Sequence, residues 1–248
     1  ERYGEQRYPI HVKLDTGMHR LGFVEEELPA LLDALARCGR TVRVASVFAH
    51  LCTSDDPAQD DFTRLQIARF DRMSSRIAEA LPYPVLRHTA NSAAIERFPE
   101  AQYDMCRLGL GLYGYLPEGI DPALRERISL RPAMAVYAQA VQSRKYSFGG
   151  AGYGVLCEEA KTHLSYLTVW RVGYADGFGW KKDNGMNGGE KNLSNLCMDV
   201  CVRKGRRVRG SFTPVMTDAA ETAEKSGTIC YEILCAATRR AEFVYEYR

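Results

Sequence analysis

Alternating apolar and polar residues open the chain: in HVKLDTGMHRLGF, residues 11–23, Val12 and Leu14 are flanked by Lys13 and Asp15, as in a strand with one buried face. Thr16-Gly17 then breaks the alternation with a turn. The period next becomes helical. Leu28, Leu31, Leu32 and Leu35 recur at i, i+3, i+4 and i+7, and Gly39 marks the end of that helix. Residues 42–51 read as a buried strand carrying His50 to its far end, followed by the polar loop CTSDDPAQDD. Phe70, Met73, Ile77 and Leu81 share one face of a second helix, which Pro82 and Pro84 stop. A short strand at 85–89, a helix capped at Asn91-Ser92 and a fourth strand at 103–107 follow. Strand and helix thus alternate four times at intervals of roughly 20 to 40 residues, the rhythm of a parallel sheet or barrel. Four such units make half of an eightfold barrel.

Beyond Pro117 the texture changes. Residues 116–132 are linker-like, and from Ala133 onward Val, Tyr, Thr and Ile appear in short alternating runs separated by Gly and Asn, the signature of antiparallel strands. The expected organisation is a partial barrel over 1–118 followed by a β-rich domain over 119–248. Within the latter, SFGGAGYG at 147–154 reads as a glycine-rich turn and 181–195 as a loop. Residues 216–225 read as a helix capped by Thr217 or Asp218.

Composition narrows the function classes. A chain of 248 residues that is 46% hydrophobic can bury a full core, and 33 basic against 31 acidic residues, net charge +2, give no global field for nucleic acid or a membrane surface. The local cluster Arg203-Lys204-Gly205-Arg206-Arg207 reads as a solvated turn, since no aromatic platform accompanies it. No apolar run reaches the ~20 residues that span a bilayer. Eight scattered cysteines without a signal peptide point to reduced thiols in the cytoplasm. Cys197 and Cys201 lack CxxC spacing and no histidine pair has zinc-ligand spacing, so no metal is expected.

Candidate chemistry starts at the first strand, where Lys13, Asp15 and Arg20 cluster at the end at which parallel α/β folds bind ligands. A solvated turn is the alternative. The whole string resembles the corresponding stretch of the pyridoxal-phosphate-dependent alanine racemases. FAHLCTSDD at 48–56, HTANSAAI at 88–95, DMCRLGLGLYGY at 104–115, VGYADGF at 172–178, CMD at 197–199 and GTICYEIL at 227–234 follow in the order that family shows. The resemblance covers nearly the whole chain, has no counterpart here for the family's first third, and is shortened between Val202 and Ser211. It implies the second half of a TIM-like (β/α)8 barrel and a mainly antiparallel β domain.

What the resemblance implies about roles is specific. Pyridoxal 5'-phosphate would supply the electron sink, and Tyr174 one of two bases on opposite faces of an amino acid. His50 and Arg107 would lie beside Tyr174 and favour its phenolate, and Arg107 would face the pyridine nitrogen. Ser92, the amides of Gly109 and Leu110, and Tyr231 would hold the phosphate. Arg20 and the backbone of Met198 would take the substrate carboxylate, with Asp199 shaping the pocket. Lys13 would be a carbamate as in relatives, or a plain lysine paired with Asp15. Taken without the family, Ser92 reads as a helix cap, Arg107 beside Asp104 as an ion pair, and Tyr174 as a packing tyrosine. His11, His19, His88 and His163 are assigned no role.

The family carries its cofactor on a lysine in a K-A-N-A-Y-G-like string, and none of Lys13, Lys145, Lys161, Lys181, Lys182, Lys191, Lys204 and Lys225 has that context. The expectation is a piece of a longer racemase that interconverts L- and D-alanine for cell-wall synthesis, in a homodimer whose Tyr174 and Met198 serve the partner's site. The alternatives are a racemase acting on serine, a related decarboxylase, or a non-catalytic cofactor-binding or dimerisation homologue.

Overall fold

Val12 and Leu14 are almost fully buried, as their alternation requires, and they anchor the first of three parallel strands. In the computed structural model, residues 7–117, 120–145, 153, 166–181, 183–186, 192–205, 207, 208 and 210–246 are described. They divide into two compact units, Glu1–Arg131 and Pro132–Arg248.

The first unit runs β1 (Tyr8–Lys13), α1 (Leu28–Cys38), β2 (Val42–Phe48), α2 (Asp60–Ala80), β3 (Leu86–His88), α3 (Ser92–Arg97) and α4 (Pro122–Arg127). The sheet order β1-β2-β3 is parallel throughout, as right-handed βαβ crossovers produce. Leu28, Leu31 and Leu35 of α1 and Phe70, Met73 and Ile77 of α2 bury against Val12, Val44 and Val47 in one core. Gly39 ends α1 in an ordinary right-handed conformation. Asn91 is the cap of α3, its side chain accepting from Ala94 N, so Ser92 is released from the capping role.

The fourth strand expected at 103–107 does not form. Tyr103 takes a positive φ of 50°, which breaks the extended chain, and the Asp104 carboxylate accepts the Arg87 amide at 2.8 Å in place of a backbone carbonyl. The segment still follows β3 through Asp104 N to Arg87 O (3.0 Å) and Arg107 N to Ala90 O (2.9 Å). The linker-like stretch belongs to this unit. Its helix α4 is tied back by Arg125, whose Nη2 donates to Pro117 O at 2.7 Å.

The second unit is an antiparallel sheet of order β6-β5-β4-β7, formed by β4 (Val136–Lys145), β5 (Tyr166–Trp170), β6 (Cys201–Gly205) and β7 (Phe212–Met216). Two helices that pack on one another follow it in the chain, α5 (Ala219–Ser226) and α6 (Cys230–Ala237). Asp218 caps α5 by accepting from the amides of Ala220 and Glu221. The glycine-rich turn at 147–154 lies, but for Tyr153, outside the described residues, as do His163, Lys161, Lys182 and Lys191. Among the described residues no helix is long and apolar enough to cross a membrane, and no group of three His, Cys, Asp or Glu could hold a metal.

Candidate functional site

Two clusters carry the singled-out residues, one in each unit. In the first, the loop after β1 turns back on its own strand: Phe23 N donates to Lys13 O and Asp15 N to Phe23 O, both at 2.9 Å. Gly22 makes this closure feasible. Its φ is +124°, and a Cβ there would lie 2.7 Å from Asp15 N, so only glycine fits. The loop holds Arg20 exposed. Lys13 Nζ donates to Leu21 O at 2.9 Å, and Asp15 Oδ1 instead accepts from the amides of Gly17 and His19. The Lys13–Asp15 ion pair, one of the two alternatives for Lys13, is therefore replaced by separate contacts. Burial, reinforced by Arg20 and Arg107, lowers the Lys13 pKa from its ordinary value, with Asp15 opposing.

Arg107 is the centre of this cluster. Nη2 donates to Ala49 O (2.8 Å) and Thr89 O (3.0 Å), and Nη1 reaches His88 O (3.3 Å) and His88 Nδ1 (2.7 Å). Its partners are the backbone ends of β2 and β3, and the Asp104 ion pair is not made. The guanidinium lies over the Phe48 ring, which stacks on His88 with centroids 5.2 Å apart. His88, which the sequence left without a role, is buried, and burial followed by Arg107 and His11 lowers its pKa to about 4. His50 is lowered for the same first cause, then by Arg107, Arg20 and Lys13. Both imidazoles are thus neutral near neutral pH, and Arg107 remains the fixed cation.

Immediately downstream, the chain forms a cradle of donors. Ser92 Oγ accepts from Gly109 N at 2.9 Å and from Gly111 N at 3.4 Å, and Leu110 begins the tight turn 110–113 between them. A Cβ at Gly109 would sit 3.7 Å from Ser92 Oγ and occupy this space. A hydroxyl and convergent amides are what a phosphate requires, so the residues present fit the phosphate of the expected cofactor. The fixed guanidinium of Arg107 lies two residues away in sequence.

The second cluster joins two motifs of the β-rich unit. Gly173 lets them touch: a Cβ there would come within 2.2 Å of Met198 O and 2.4 Å of Cys197 O. The contact is sealed by Tyr174 N to Cys197 O (3.1 Å) and Ala175 N to Met198 O (3.0 Å). Asp176 steadies the turn by accepting from Gly173 N at 2.8 Å. Tyr174 and Met198 present exposed side chains. Asp199 Oδ1 pairs with Arg240 Nη2 at 2.7 Å, and Arg240 Nε lies 3.4 Å from Asp176, so one arginine bridges both motifs. Tyr231 stands exposed on α6.

Sequence reasoning missed three groups: His88, Phe48 and Arg240. Phe48 and His88 face each other in the β2–β3 register, a pairing visible only once the strands are aligned. Arg240 lies 41 residues from its partner Asp199, with no local motif.

Comparison with known proteins identifies the family and the fold. Residues 1–117 match the family model for the alanine racemase N-terminal domain. The alanine racemase of Carboxydothermus hydrogenoformans is 34% identical over 253 residues, covering 95% of this chain and 67% of that protein. That of Symbiobacterium thermophilum is 32% identical over 252 residues, covering 95% of this chain and 65% of that protein. Among solved structures, the alanine racemase of Clostridium difficile 630 superposes with a TM-score of 0.78 at 27% identity, over 94% of this chain and 63% of that one. The enzyme from D-cycloserine-producing Streptomyces lavendulae gives 0.75 at 28% identity, over 94% and 65%. The chain spans about two thirds of the length of the relatives it matches. Its partial βα barrel and antiparallel β domain are the fold of those enzymes, and the chain belongs to the alanine racemase family.

Proposed function

We propose that the polypeptide carrying this chain is an amino-acid racemase that interconverts L- and D-alanine with pyridoxal 5'-phosphate. The observation that carries the reading is the segment 107–111, where a fixed guanidinium is followed by amides converging on Ser92 Oγ. Bound there, the cofactor supplies the electron sink that acidifies the substrate Cα–H. Arg107 would face the ring nitrogen; a guanidinium retains its proton and so donates none to that atom. Ser92 Oγ, the amides of Gly109 and Leu110, and the Tyr231 hydroxyl would hold the phosphate. Arg20 and the Met198 backbone would hold the substrate carboxylate, while Arg240 fixes Asp199 at the pocket wall. Tyr174 Oη would take or return the proton on one face of Cα, assisted by the cation Arg107 and the neutral His50.

The two clusters would complete one another across a homodimer, with Tyr174 and Met198 serving the partner's site. The base for the opposite face, and the lysine that carries the cofactor in the family, we assign to the portion of the racemases this chain does not span. We place the activity in the cytoplasm, where it would supply D-alanine to the cell wall.

The test is solvent-deuterium incorporation at Cα of L- and D-alanine by the complete protein with added pyridoxal phosphate. Exchange accompanied by interconversion supports the reading. Stoichiometric cofactor binding without exchange would assign a non-catalytic role, and a higher kcat/KM for serine would replace alanine as substrate.

A further inference from the structure

The β-rich unit buries a charge that racemisation does not use. Arg203 on β6 is 0% exposed, and its Nε donates to Asn192 Oδ1 at 3.0 Å. Its Nη1 and Nη2 have no hydrogen-bond partner among the described residues, nor does the indole Nε1 of Trp170 on β5. The ladder brings these groups together. Trp170 pairs with Cys201 and Thr168 with Arg203, so all four side chains project from one sheet face, and Trp170 and Arg203 are diagonal neighbours within reach of long side chains.

All three orphan atoms are N–H donors that cannot accept. Among the described residues no carboxylate pairs with Arg203. Asn192 offers its carbonyl to Nε and turns its Nδ2 toward Asn184 Oδ1 at 3.4 Å. Thr168 Oγ1 donates to Ser143 Oγ at 3.0 Å. Burial pushes the neighbouring Cys201 thiol up to about 11 against the opposing pull of Arg203, so it stays neutral and offers the guanidinium only a weak sulfur acceptor. An arginine does not escape burial by losing its proton, and an uncompensated interior cation is strongly unfavourable. Thr168, Trp170 and Cys201 are each no more than 3% exposed, so a partner for these donors would have to be compact.

We propose that Arg203 Nη1 and Nη2 and Trp170 Nε1 form a buried site for one small inorganic monovalent anion of chloride size, which compensates the guanidinium and stabilises the β-rich unit. The test is chloride-35 NMR line broadening on the complete protein, comparing wild type with Arg203→Met and Trp170→Phe. Wild type is expected to show a saturable excess linewidth that bromide displaces. Arg203→Met should lose that excess, and Trp170→Phe should weaken binding about threefold or more. Equal broadening in wild type and Arg203→Met, or no saturable excess in wild type, overturns the site. If Arg203→Met fails to fold by circular dichroism, Trp170→Phe decides: unchanged affinity overturns the proposal, and weakened affinity supports it.

Discussion

Arg107 Nη1 lies 2.7 Å from His88 Nδ1, and because a guanidinium only donates, the imidazole must accept there and carry its proton on Nε2, toward Ser46 Oγ at 3.1 Å. Ser46 Oγ in turn lies 2.6 Å from His11 Nδ1, which extends the chain of hydrogen bonds to β1. Of the contacts that hold Arg107 against the ends of β2 and β3, the one to His88 Nδ1 requires a neutral imidazole, while those to Ala49 O, Thr89 O and His88 O do not.

That requirement predicts a pH dependence. The folded pKa of His88 is about 4, below its ordinary value of 6.5, so the unfolded chain binds more protons in between. The stabilisation is complete above pH 6.5, is lost as the pH falls toward 4, and changes no further below that. The loss should be roughly 1–3 kcal/mol. Denaturant titrations of wild type and His88→Asn across this range are the measurement. The variant should show a shallower slope, with a remainder from His50, whose pKa is displaced the same way. Identical slopes would remove His88 from the account.

Ser92 and Asn91 should separate binding from stability. Asn91→Ala removes the cap of α3 and its contacts with Ser54 Oγ and Leu51 O, at a cost of roughly 1–3 kcal/mol in unfolding free energy. Ser92→Ala leaves the cap in place and should raise the half-saturating concentration of pyridoxal phosphate about tenfold, the worth of one hydrogen bond to a charged group. Equilibrium dialysis of both variants checks the contrast, and equal cofactor affinity in wild type and Ser92→Ala would place the phosphate elsewhere.

The elements that rest on periodicity were legible in the sequence. Leu28, Leu31 and Leu35, and Phe70, Met73 and Ile77, are buried as their spacing demands, because one helix face meets one sheet. The expected strand at 103–107 failed for a reason outside periodicity: the Asp104 side chain takes the ladder position of a backbone acceptor. His88 was passed over because a lone histidine has no spacing signature, and its partners come from β1, β2 and the 103–107 segment. Arg203 was readable. In Cys201-Val202-Arg203 the alternation that buries Cys201 must bury Arg203 as well, yet the surrounding basic residues made it look solvated.

Gly173 tests whether the turn around Tyr174 is fixed by the 197–199 segment. Its backbone is extended, so Gly173→Ala would not strain φ; the obstacle is contact with two carbonyl oxygens of the main chain, which cannot rotate away. The substitution should cost about 2–4 kcal/mol in stability of the β-rich unit. Thermal unfolding of the variant measures it, and a change below about 0.5 kcal/mol would mean the two segments separate easily.

Tyr174 gives the sharpest functional test, because a racemase needs a base on each face of Cα and the proposed function makes Tyr174 one of them. The tyrosine sits on a turn pinned by Cys197 O, Met198 O and Asp176, so its ring has a defined starting point and its removal should disturb little else. Tyr174→Phe deletes only the hydroxyl, keeps the ring, and should leave cofactor affinity within about twofold. Loss of a general base lowers a proton-transfer step by about 10²–10⁴-fold. With the opposite base intact, proton abstraction from one alanine enantiomer should fall by that factor while abstraction from the other persists. The two are resolved by measuring deuterium wash-in at Cα separately from L- and D-alanine before interconversion accumulates. An equal fall for both enantiomers would assign Tyr174 to substrate positioning, and no fall for either would leave it a surface tyrosine outside the chemistry.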